Sequence, residues 1–310
     1  MDTRPLFKIV GVGGSACIAV DRMYGHGIEK ATFAIVDTSR YIIGNAQVPA
    51  KLLISSDNRA VVRPDRAKAF ASQYVAEIGS LFDDGTQMAF IIAGMGGITG
   101  TGAAPTVARI ARERNILTIG IVTMPFKAEG EAKRELARKG VEEMSAHVDA
   151  MIVIDDEQLY PGLSEESVLE SISKFDETVT RIINDILGIC TVQALTCIDF
   201  NDIRFTFQKG GNTLVTSAFS DGDDRVISAI KKAISAPICA GRDVHDASRL
   251  LIMIYSPADD KEALKMKEIE ILANYLATFP VDTDIIWGMA VDGSLKREVR
   301  VTIIATGLPQ

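Results

Sequence analysis

The sequence predicts an α/β protein: a mostly parallel, open sheet in the first half, then a long central helix, then a smaller α+β domain. Three observations lead to this prediction. Short apolar segments alternate with helical segments up to about residue 154. A long helical pattern without an obvious internal breaker follows, and the order of predicted strands and helices changes after it. We therefore predict boundaries at 1–163, 164–190 and 191–310.

The predicted strands of the first domain are nearly continuous in Val, Ile, Phe or Ala, as is typical of strands that are buried on both faces. They lie at residues 7–12, 32–36, 88–93, 117–122 and 150–154. Helices are predicted between them at residues 16–24, 65–82, 105–114 and 129–147. The helix at 65–82 is well marked, because Phe70, Tyr74, Ile78 and Leu81 recur at helical spacing. Alternation of this kind predicts ligands at the carboxyl ends of the strands.

The second half begins with the long helix, which is predicted from about Ser164 to Cys190 with Val, Ile and Leu along one side. Beyond it, strands are predicted at residues 203–208, 214–219, 249–255, 283–290 and 298–306. Helices are predicted near 221–236 and 260–277, the first of them preceded by Asp221 or Gly222 and followed by Pro237. These elements suit a compact α+β domain.

Composition excludes several classes of function. The 310 residues are 47% hydrophobic and carry a net charge of −8, without a dense Lys/Arg run, so nucleic acid is not the expected partner. No apolar stretch approaches the roughly 20 residues of a membrane span, so we expect no membrane insertion and a cytoplasmic location. The four cysteines form no CxxC pair and the three histidines are isolated, so no protein metal site is predicted.

The stretch Gly94-Met-Gly-Gly-Ile-Thr-Gly-Thr-Gly-Ala-Ala-Pro105 separates a predicted strand from a predicted helix, with Pro105 near the first helical turn. Glycines allow the backbone to approach a phosphate, threonine hydroxyls add donors, and a helix N-terminus is partly positive. The stretch therefore predicts a phosphate cradle, although a plain tight connection is the alternative. Its candidate ligands are Gly94, Gly96, Gly97, Thr99, Gly100, Thr101 and Gly102.

A second glycine-rich turn, Gly11-Val-Gly13-Gly14-Ser15-Ala16, follows the first strand and matches the GxGxxA dinucleotide pattern, with Asp37 closing the second strand. Alone, this segment fits an NAD-dependent Rossmann dehydrogenase or a turn without a ligand. Two glycine-rich turns on neighbouring strands suit a triphosphate better, since a dinucleotide site normally uses one.

Two further groups of residues carry possible chemistry. Asp199 and Asp202 lie three residues apart on a helical turn, where they can orient or deprotonate a water or hold a hydrated cation. Simple helix capping is the alternative. Glu129 and Lys133 follow the predicted strand that ends before Pro125, and they lie four residues apart on one predicted helix face. A solvated ion pair without a ligand explains this pattern as well as a binding site does.

In this order, these segments resemble the FtsZ branch of the tubulin/FtsZ family from the first strand to the last. The segments that carry the resemblance are GMGGITGTGAAP, IVTMPFKAEG, HVDAMIVIDDEQL, IDFNDI, SDGDDRVISAIKKAISAP and VRVTIIATG. The resemblance implies a Rossmann-like GTPase domain, a central helix and a smaller domain. It also implies a head-to-tail homopolymer that binds GTP or GDP together with Mg²⁺. Asp199 and Asp202 of one subunit would position water at the nucleotide of the next.

The resemblance also implies the other contacts of the nucleotide. Phosphate contacts are implied for the first turn, sugar contacts for Pro125, Glu129 and Lys133 or its neighbour Arg134, and base contacts for Asp176 and Glu177, with Glu177 as the guanine acceptor. The residues so implied are Gly13, Gly14, Ser15, Ala16, Cys17, Pro125, Glu129, Lys133, Asp156, Asp176 and Glu177.

Several positions depart from the family pattern. Ser15, Ala16, Cys17 and Ile18 replace glycines and an asparagine, and Asn-Thr-Asp becomes Asp37-Thr38-Ser39. Ile172 replaces the aromatic that stacks on guanine, although Phe175 lies nearly one turn on. Asp176-Glu177 replaces an Asn-Asp pair of the family. At two further positions, Asp156 and Cys197 each replace an asparagine. These changes leave hydrolysis open, so a non-hydrolysing filament or scaffold is the main alternative and an NAD-dependent oxidoreductase a lesser one.

Family members usually carry a flexible tail whose peptide docks membrane-tethering partners, whereas the sequence here stops at Gly307-Leu-Pro-Gln310. The sequence therefore leaves membrane-tethering partners open. A role in cell division and a specialised cytomotive or positioning task both stay open.

Overall fold

The computed structural model describes residues 7–28, 30–55, 61–155, 168–191 and 198–309. Its contacts divide the chain into two compact units, Met1–Glu177 and Thr178–Gln310. The division falls inside the long helix, which therefore contributes residues to both units. The predicted division into 1–163, 164–190 and 191–310, in which the long helix is a segment of its own, stays a prediction.

Six strands form the sheet of the first unit: β1 (Phe7–Val12), β2 (Ala31–Asp37), β3 (Ala50–Leu53), β4 (Met88–Gly94), β5 (Leu117–Met124) and β6 (Ala150–Asp155). Their order is β3-β2-β1-β4-β5-β6, and every neighbouring pair is parallel. The predicted parallel sheet is thus confirmed. Because strand order reverses beside β1, the carboxyl ends of β1, β2 and β4 meet at the crevice where such sheets bind ligands.

The helices of the first unit are α1 (Gly14–His26), α2 (Arg40–Asn45), α3 (Pro64–Gln73), α4 (Val75–Ser80), α5 (Ile98–Glu113) and α6 (Glu131–Ser145). The predicted helix at 65–82 is two helices that meet at Tyr74. The Tyr74 hydroxyl donates to the Ser55 carbonyl at 3.3 Å, and this tertiary contact holds the break. The sequence does not predict α2 or β3, because α2 buries no residue fully and β3 has only four residues.

The core of the first unit packs α5 against the sheet. Val107 and Ile110 of α5 lie in one buried cluster with Val10, Ile91 and Val122 of the strands. This packing fixes the beginning of α5 at the carboxyl edge of the sheet.

The second unit contains the strands β7 (Gly211–Ser220), β8 (Arg249–Ser256), β9 (Asp284–Val291) and β10 (Val299–Leu308). They lie in the order β7-β10-β8-β9, with β10 antiparallel to both neighbours and β9 parallel to β8. The long helix is α7 (Val168–Thr191), and it is followed by α8 (Phe200–Phe207), α9 (Arg225–Ile234) and α10 (Met266–Leu276). None of the helices within the described ranges is long and apolar enough to cross a membrane.

The predicted strand at 203–208 is wrong, because these residues belong to helix α8. Ile203 and Phe207 are both buried at a spacing of four residues, and the helix start is stabilised by the side chains of Asp199 and Asp202. Local capping therefore overrides the strand propensity of Ile and Phe in this segment.

Candidate nucleotide-binding site

The first glycine-rich turn connects β1 to α1 and needs glycine at its centre. Gly13 has a φ angle of 88°, which side chains rarely tolerate. A Cβ atom at Gly13 would also lie 2.7 Å from the backbone nitrogen of Gly100. The turn is therefore built for close contact with the second glycine-rich stretch.

The second glycine-rich stretch is largely helical. Helix α5 begins at Ile98, so Thr99 to Gly102 occupy its first two turns, and Pro105 lies in the helix interior. The prediction that the helix begins near Pro105 is therefore wrong. Only the residues before Ile98 form a loop, and Gly96 in that loop has a φ angle of 85°.

Close packing explains why a glycine-rich sequence is helical here. A Cβ atom at Gly100 would lie 2.6 Å from the carbonyl oxygen of Gly94, and one at Gly102 would lie 2.1 Å from that of Pro64. Each glycine costs a helix about 1 kcal/mol relative to alanine. The approach of α5 to β4 and α3, which larger residues would prevent, offsets this cost.

The beginnings of α1 and α5 meet at the carboxyl edge of the sheet. The hydroxyl of Ser15 in α1 reaches Gly94, since a Cβ there would lie 2.6 Å from Ser15 Oγ. Beside them, the hydroxyls of Thr38 and Thr99 are 2.8 Å apart. Two helix N-termini therefore direct partial positive charge and backbone N–H groups at one place, which is the arrangement that binds phosphate.

The side chains that replace glycines in the first turn point to different places. Ser15 lines a cavity, whereas Ala16 and Cys17 are buried. Cys17 Sγ donates to the carbonyls of Gly11 at 3.4 Å and Val36 at 3.5 Å, and burial raises its pKa. Of these three residues, only Ser15 therefore places its side chain at the cavity.

That cavity has a volume of about 460 Å³ and lies in the first unit. The predicted binding residues that line it are Ser15, Gly94, Gly97, Pro125, Glu129, Lys133 and Asp176. Those outside its lining are Gly13, Gly14, Ala16, Cys17, Gly96, Thr99, Gly100, Thr101, Gly102 and Glu177. Asp156, Ile172 and Cys197 lie outside the residues whose side chains the structure describes.

Two threonines outside the lining support it from behind. Thr101 Oγ1 accepts a hydrogen bond from the Gly96 backbone nitrogen at 2.9 Å, which fixes the loop between β4 and α5. Thr99 and Thr101 are only 8% and 6% exposed. Their hydroxyls therefore hold the cradle's shape, and the loop backbone is what faces the cavity.

One wall of the cavity comes from the segment after β5. Glu129 ends a 3-10 turn, Lys127–Glu129, and its Oε1 accepts from the Phe126 backbone nitrogen at 3.1 Å. Lys133 of α6 pairs with its other carboxylate oxygen. The predicted ion pair thus exists, but the prediction of one helix face is wrong, because Gly130, with a φ angle of 99°, separates the turn from α6.

Arg134 is held away from this wall. Its guanidinium donates to the Pro125 carbonyl at 2.6 Å and to Asp155 Oδ2 at 3.0 Å. Lys133, and not Arg134, is therefore the cation that lines the cavity at this wall.

At another wall, Arg22 of α1 forms an ion pair with Asp176 of α7, 154 residues further along the chain. Both side chains line the cavity beside Ile18 and Phe175. Burial raises the pKa of Asp176, and the hydrogen bond from Arg22 opposes that rise. Arg22 is not among the residues predicted from the sequence, although its spacing from Ser15 and Ile18 puts all three on one helix face.

Asp37 does not face the cavity. Its carboxylate is 2% exposed, and Oδ1 accepts from the Ser39 backbone nitrogen at 2.6 Å. Burial raises its pKa. A carboxylate that binds ribose hydroxyls must reach the ligand, so this burial disfavours the NAD interpretation.

Asp199 and Asp202 cap the start of α8 in the second unit. Asp199 Oδ1 accepts from the backbone nitrogens of Asn201 at 2.7 Å and Asp202 at 3.1 Å, and Asp202 Oδ2 accepts from that of Asp199 at 2.9 Å. These backbone hydrogen bonds lower the pKa of Asp199. The capping alternative is therefore realised, and Asp199 is ionised near neutral pH.

Two sequence models identify the family. The model described as "Tubulin/FtsZ family, GTPase domain" matches residues 7–163, and the model described as "FtsZ family, C-terminal domain" matches residues 211–309. The chain belongs to the tubulin/FtsZ family. The cavity and both glycine-rich turns lie in or beside the segment that matches the family's GTPase domain.

Individual members of the tubulin/FtsZ family match nearly the whole chain. The cell division protein FtsZ of Porphyromonas gingivalis is 36% identical over 307 residues, which cover 97% of this chain and 67% of that protein. FtsZ of Aquifex aeolicus is 31% identical, over 98% of this chain and 83% of that protein. The solved FtsZ dimer from M. jannaschii, described as empty, has a TM-score of 0.85 and 28% identity, with coverage of 99% and 89%.

Proposed function

We propose that this chain binds GTP and GDP in the cavity of its first unit, and hydrolyses GTP when copies assemble head to tail into filaments. The observation that carries the proposal is the meeting of the α1 and α5 N-termini beside a cavity with the carboxylates of Asp176 and Glu129 at its other walls. Helix N-termini suit a polyphosphate, and carboxylates suit the hydroxyl and N–H groups of a nucleoside.

The phosphate end of the site is formed by backbone N–H groups at the two helix starts and by the Ser15 hydroxyl. These groups stabilise the negative charge that spreads over the transferring phosphoryl group. They are held in place by backbone contacts, so they need little reorganisation during the reaction. The sugar end is formed by Glu129, whose carboxylate accepts hydrogen bonds, and by its partner Lys133.

Mg²⁺ fits this site as an ion that binds mainly to the nucleotide. Among the residues that the structure describes, no cluster of three or more His, Cys, Asp or Glu side chains could hold a metal ion. Mg²⁺ usually retains several waters and needs few protein ligands beside substrate phosphates. The partly exposed hydroxyl of Thr38, held by the Thr99 hydroxyl at 2.8 Å, is a suitable oxygen ligand next to the helix starts. The bound ion would neutralise charge on the phosphate oxygens.

The attacking water is oriented by the acidic start of α8 from a neighbouring subunit. Each carboxylate there uses part of its capacity on backbone N–H groups, and a carboxylate accepts roughly four hydrogen bonds. Asp202 is half-buried and Asp199 is half-exposed or more, so both have carboxylate surface in solvent. An ionised carboxylate at this position accepts a hydrogen bond from water and later its proton.

A non-hydrolysing filament is the second candidate. It is favoured by one observation, that Asp199 and Asp202 already have a complete structural role as a reciprocal cap. In that case the same residues stabilise the fold and the filament without catalysis. Both candidates share a cytoplasmic, self-associating protein without nucleic acid or inserted membrane segments, and both are compatible with division or with a specialised positioning task.

The variant Asp202→Asn separates the two candidates. Its amide oxygen can still accept from the Asp199 backbone nitrogen, so the cap is kept while the charge and the proton acceptor are lost. We expect GDP affinity and sedimentation with GTP to be retained, phosphate release to fall by about a hundredfold or more, and filaments to last longer.

Asp224→Asn is the matched control, because Asp224 also precedes a helix of the second unit and makes no side-chain cap bond. Its phosphate release should equal that of the unchanged protein. Equal and measurable turnover in Asp202→Asn and the unchanged protein would remove the catalytic role of Asp202, whereas sedimentation without any phosphate release from the unchanged protein would leave the non-hydrolysing filament.

A further inference from the structure

The wall of the cavity formed by α1 and α7 has one carboxylate that faces the ligand's space and one that does not. Asp176 lines the cavity and its side chain is 15% exposed. The next residue, Glu177, is exposed and outside the lining. Consecutive residues on a helix project about 100° apart, and the rotation of α7 places Phe175 and Asp176 at the cavity while Glu177 lies outside it. The geometry therefore favours Asp176 over Glu177, which the resemblance implies as the guanine acceptor.

Arg22 holds the Asp176 carboxylate in this position. The Arg22 guanidinium on α1 donates a hydrogen bond to Asp176 Oδ2 on α7 and so joins the two helices at this wall. A half-buried carboxylate needs such a partner to remain ionised, because desolvation disfavours the charged form. A carboxylate can accept further hydrogen bonds while one oxygen binds an arginine. The pair is thus an oriented anionic acceptor at the edge of an apolar space formed with Ile18 and Phe175.

We propose that Asp176, positioned by Arg22, is the residue that selects the nucleobase, in place of Glu177. The carboxylate accepts from two adjacent N–H donors, which on a guanine are N1–H and the 2-amino group. A hypoxanthine base lacks one of these donors, and a xanthine base has an acceptor where guanine has the 2-amino group. A site built to bind a donor rejects an analogue that lacks it, because its own acceptor is left unpaired.

This inference rests on the proposed nucleotide site and is tested by base analogues in a direct binding measurement. Dissociation constants for GDP, IDP and XDP are measured by calorimetry on the unchanged protein, Asp176→Asn and Glu177→Gln. For the unchanged protein we expect IDP to bind about tenfold more weakly than GDP, and XDP more weakly still.

Asp176→Asn should reverse the order of GDP and XDP, since the amide N–H₂ can donate to the 2-oxo group of xanthine. Glu177→Gln is the matched control on the neighbouring residue and should keep the order of the unchanged protein. If Glu177→Gln changes the order and Asp176→Asn does not, or if neither changes it, the inference is overturned. Absence of GDP binding to the unchanged protein would instead overturn the proposed function.

The positioning role of Arg22 has its own readout. In Arg22→Met, Asp176 loses its partner and its pKa rises further, so GDP affinity should begin to fall at a higher pH than in the unchanged protein. Arg22→Lys should restore part of the difference, because it restores the charge. An identical pH profile of GDP binding in the unchanged protein and in Arg22→Met would show that Arg22 does not position this carboxylate.

Discussion

The cavity of the first unit and the acidic helix start of the second are built in opposite ways. The cavity joins residues that are far apart in sequence, such as Arg22 and Asp176, and its charged groups are partly buried. The helix start at Asp199 and Asp202 is closed within four residues and is open to solvent. The first region is a preformed cavity, whereas the second is a stable local motif whose carboxylates are in contact with solvent.

The largest effect should come from breaking the packing behind the cavity. In Gly102→Ala, the new Cβ would lie 2.1 Å from the Pro64 carbonyl oxygen, so α3 and α5 must move apart. Overpacking of this kind costs about 1–3 kcal/mol. We expect that loss in the free energy of unfolding, together with weaker GDP binding, measured by denaturant titration and calorimetry.

Gly25→Ala is the control for that variant, because Gly25 is also helical and has nothing within 4 Å of a new Cβ. It should leave the free energy of unfolding unchanged or raise it by up to about 1 kcal/mol. If both alanine variants have the same stability, the account of α5 packing is incorrect.

A smaller effect, confined to the beginning of α8, should follow when the pH of the solution is lowered. The pKa of Asp199 is lowered in the folded protein, so its stabilisation is present above the unfolded pKa and is lost as pH falls through the folded value. We expect backbone amide exchange at Asn201 and Asp202 to accelerate as pH falls from about 5 to about 2, beyond the intrinsic pH effect. Asp199→Asn should not show this acceleration, since asparagine caps without titrating.

The same contrast explains how much the sequence predicts. The buried strands of the first unit's sheet, except β3, and the first glycine-rich turn are predicted correctly, because continuous apolar segments and glycine clusters are local signals. The α8 cap is also local, yet residues 203–208 are predicted as a strand, because their Ile and Phe content outweighs the capping signal there. The beginning of α5 is predicted too late, since only the contacts of Gly100 and Gly102 show why glycine is tolerated in a helix.

Features that depend on distant contacts are beyond a single sequence. The pairing of Arg22 with Asp176 requires α1 and α7 to meet, and no local pattern announces that contact. The division of Asp176 and Glu177 into a cavity residue and an exposed residue depends on the rotation of α7. The expected guanine acceptor therefore changes from Glu177, which the resemblance implies, to Asp176, which lines the cavity.

The most direct test of the central claim is GTP turnover per subunit as a function of protein concentration, with sedimentation measured on the same samples. If the preformed cavity and the exposed acidic helix start act together only between subunits, turnover per subunit should be low in dilute protein and rise as sedimentation begins. Turnover per subunit that is constant across the onset of sedimentation would contradict the claim.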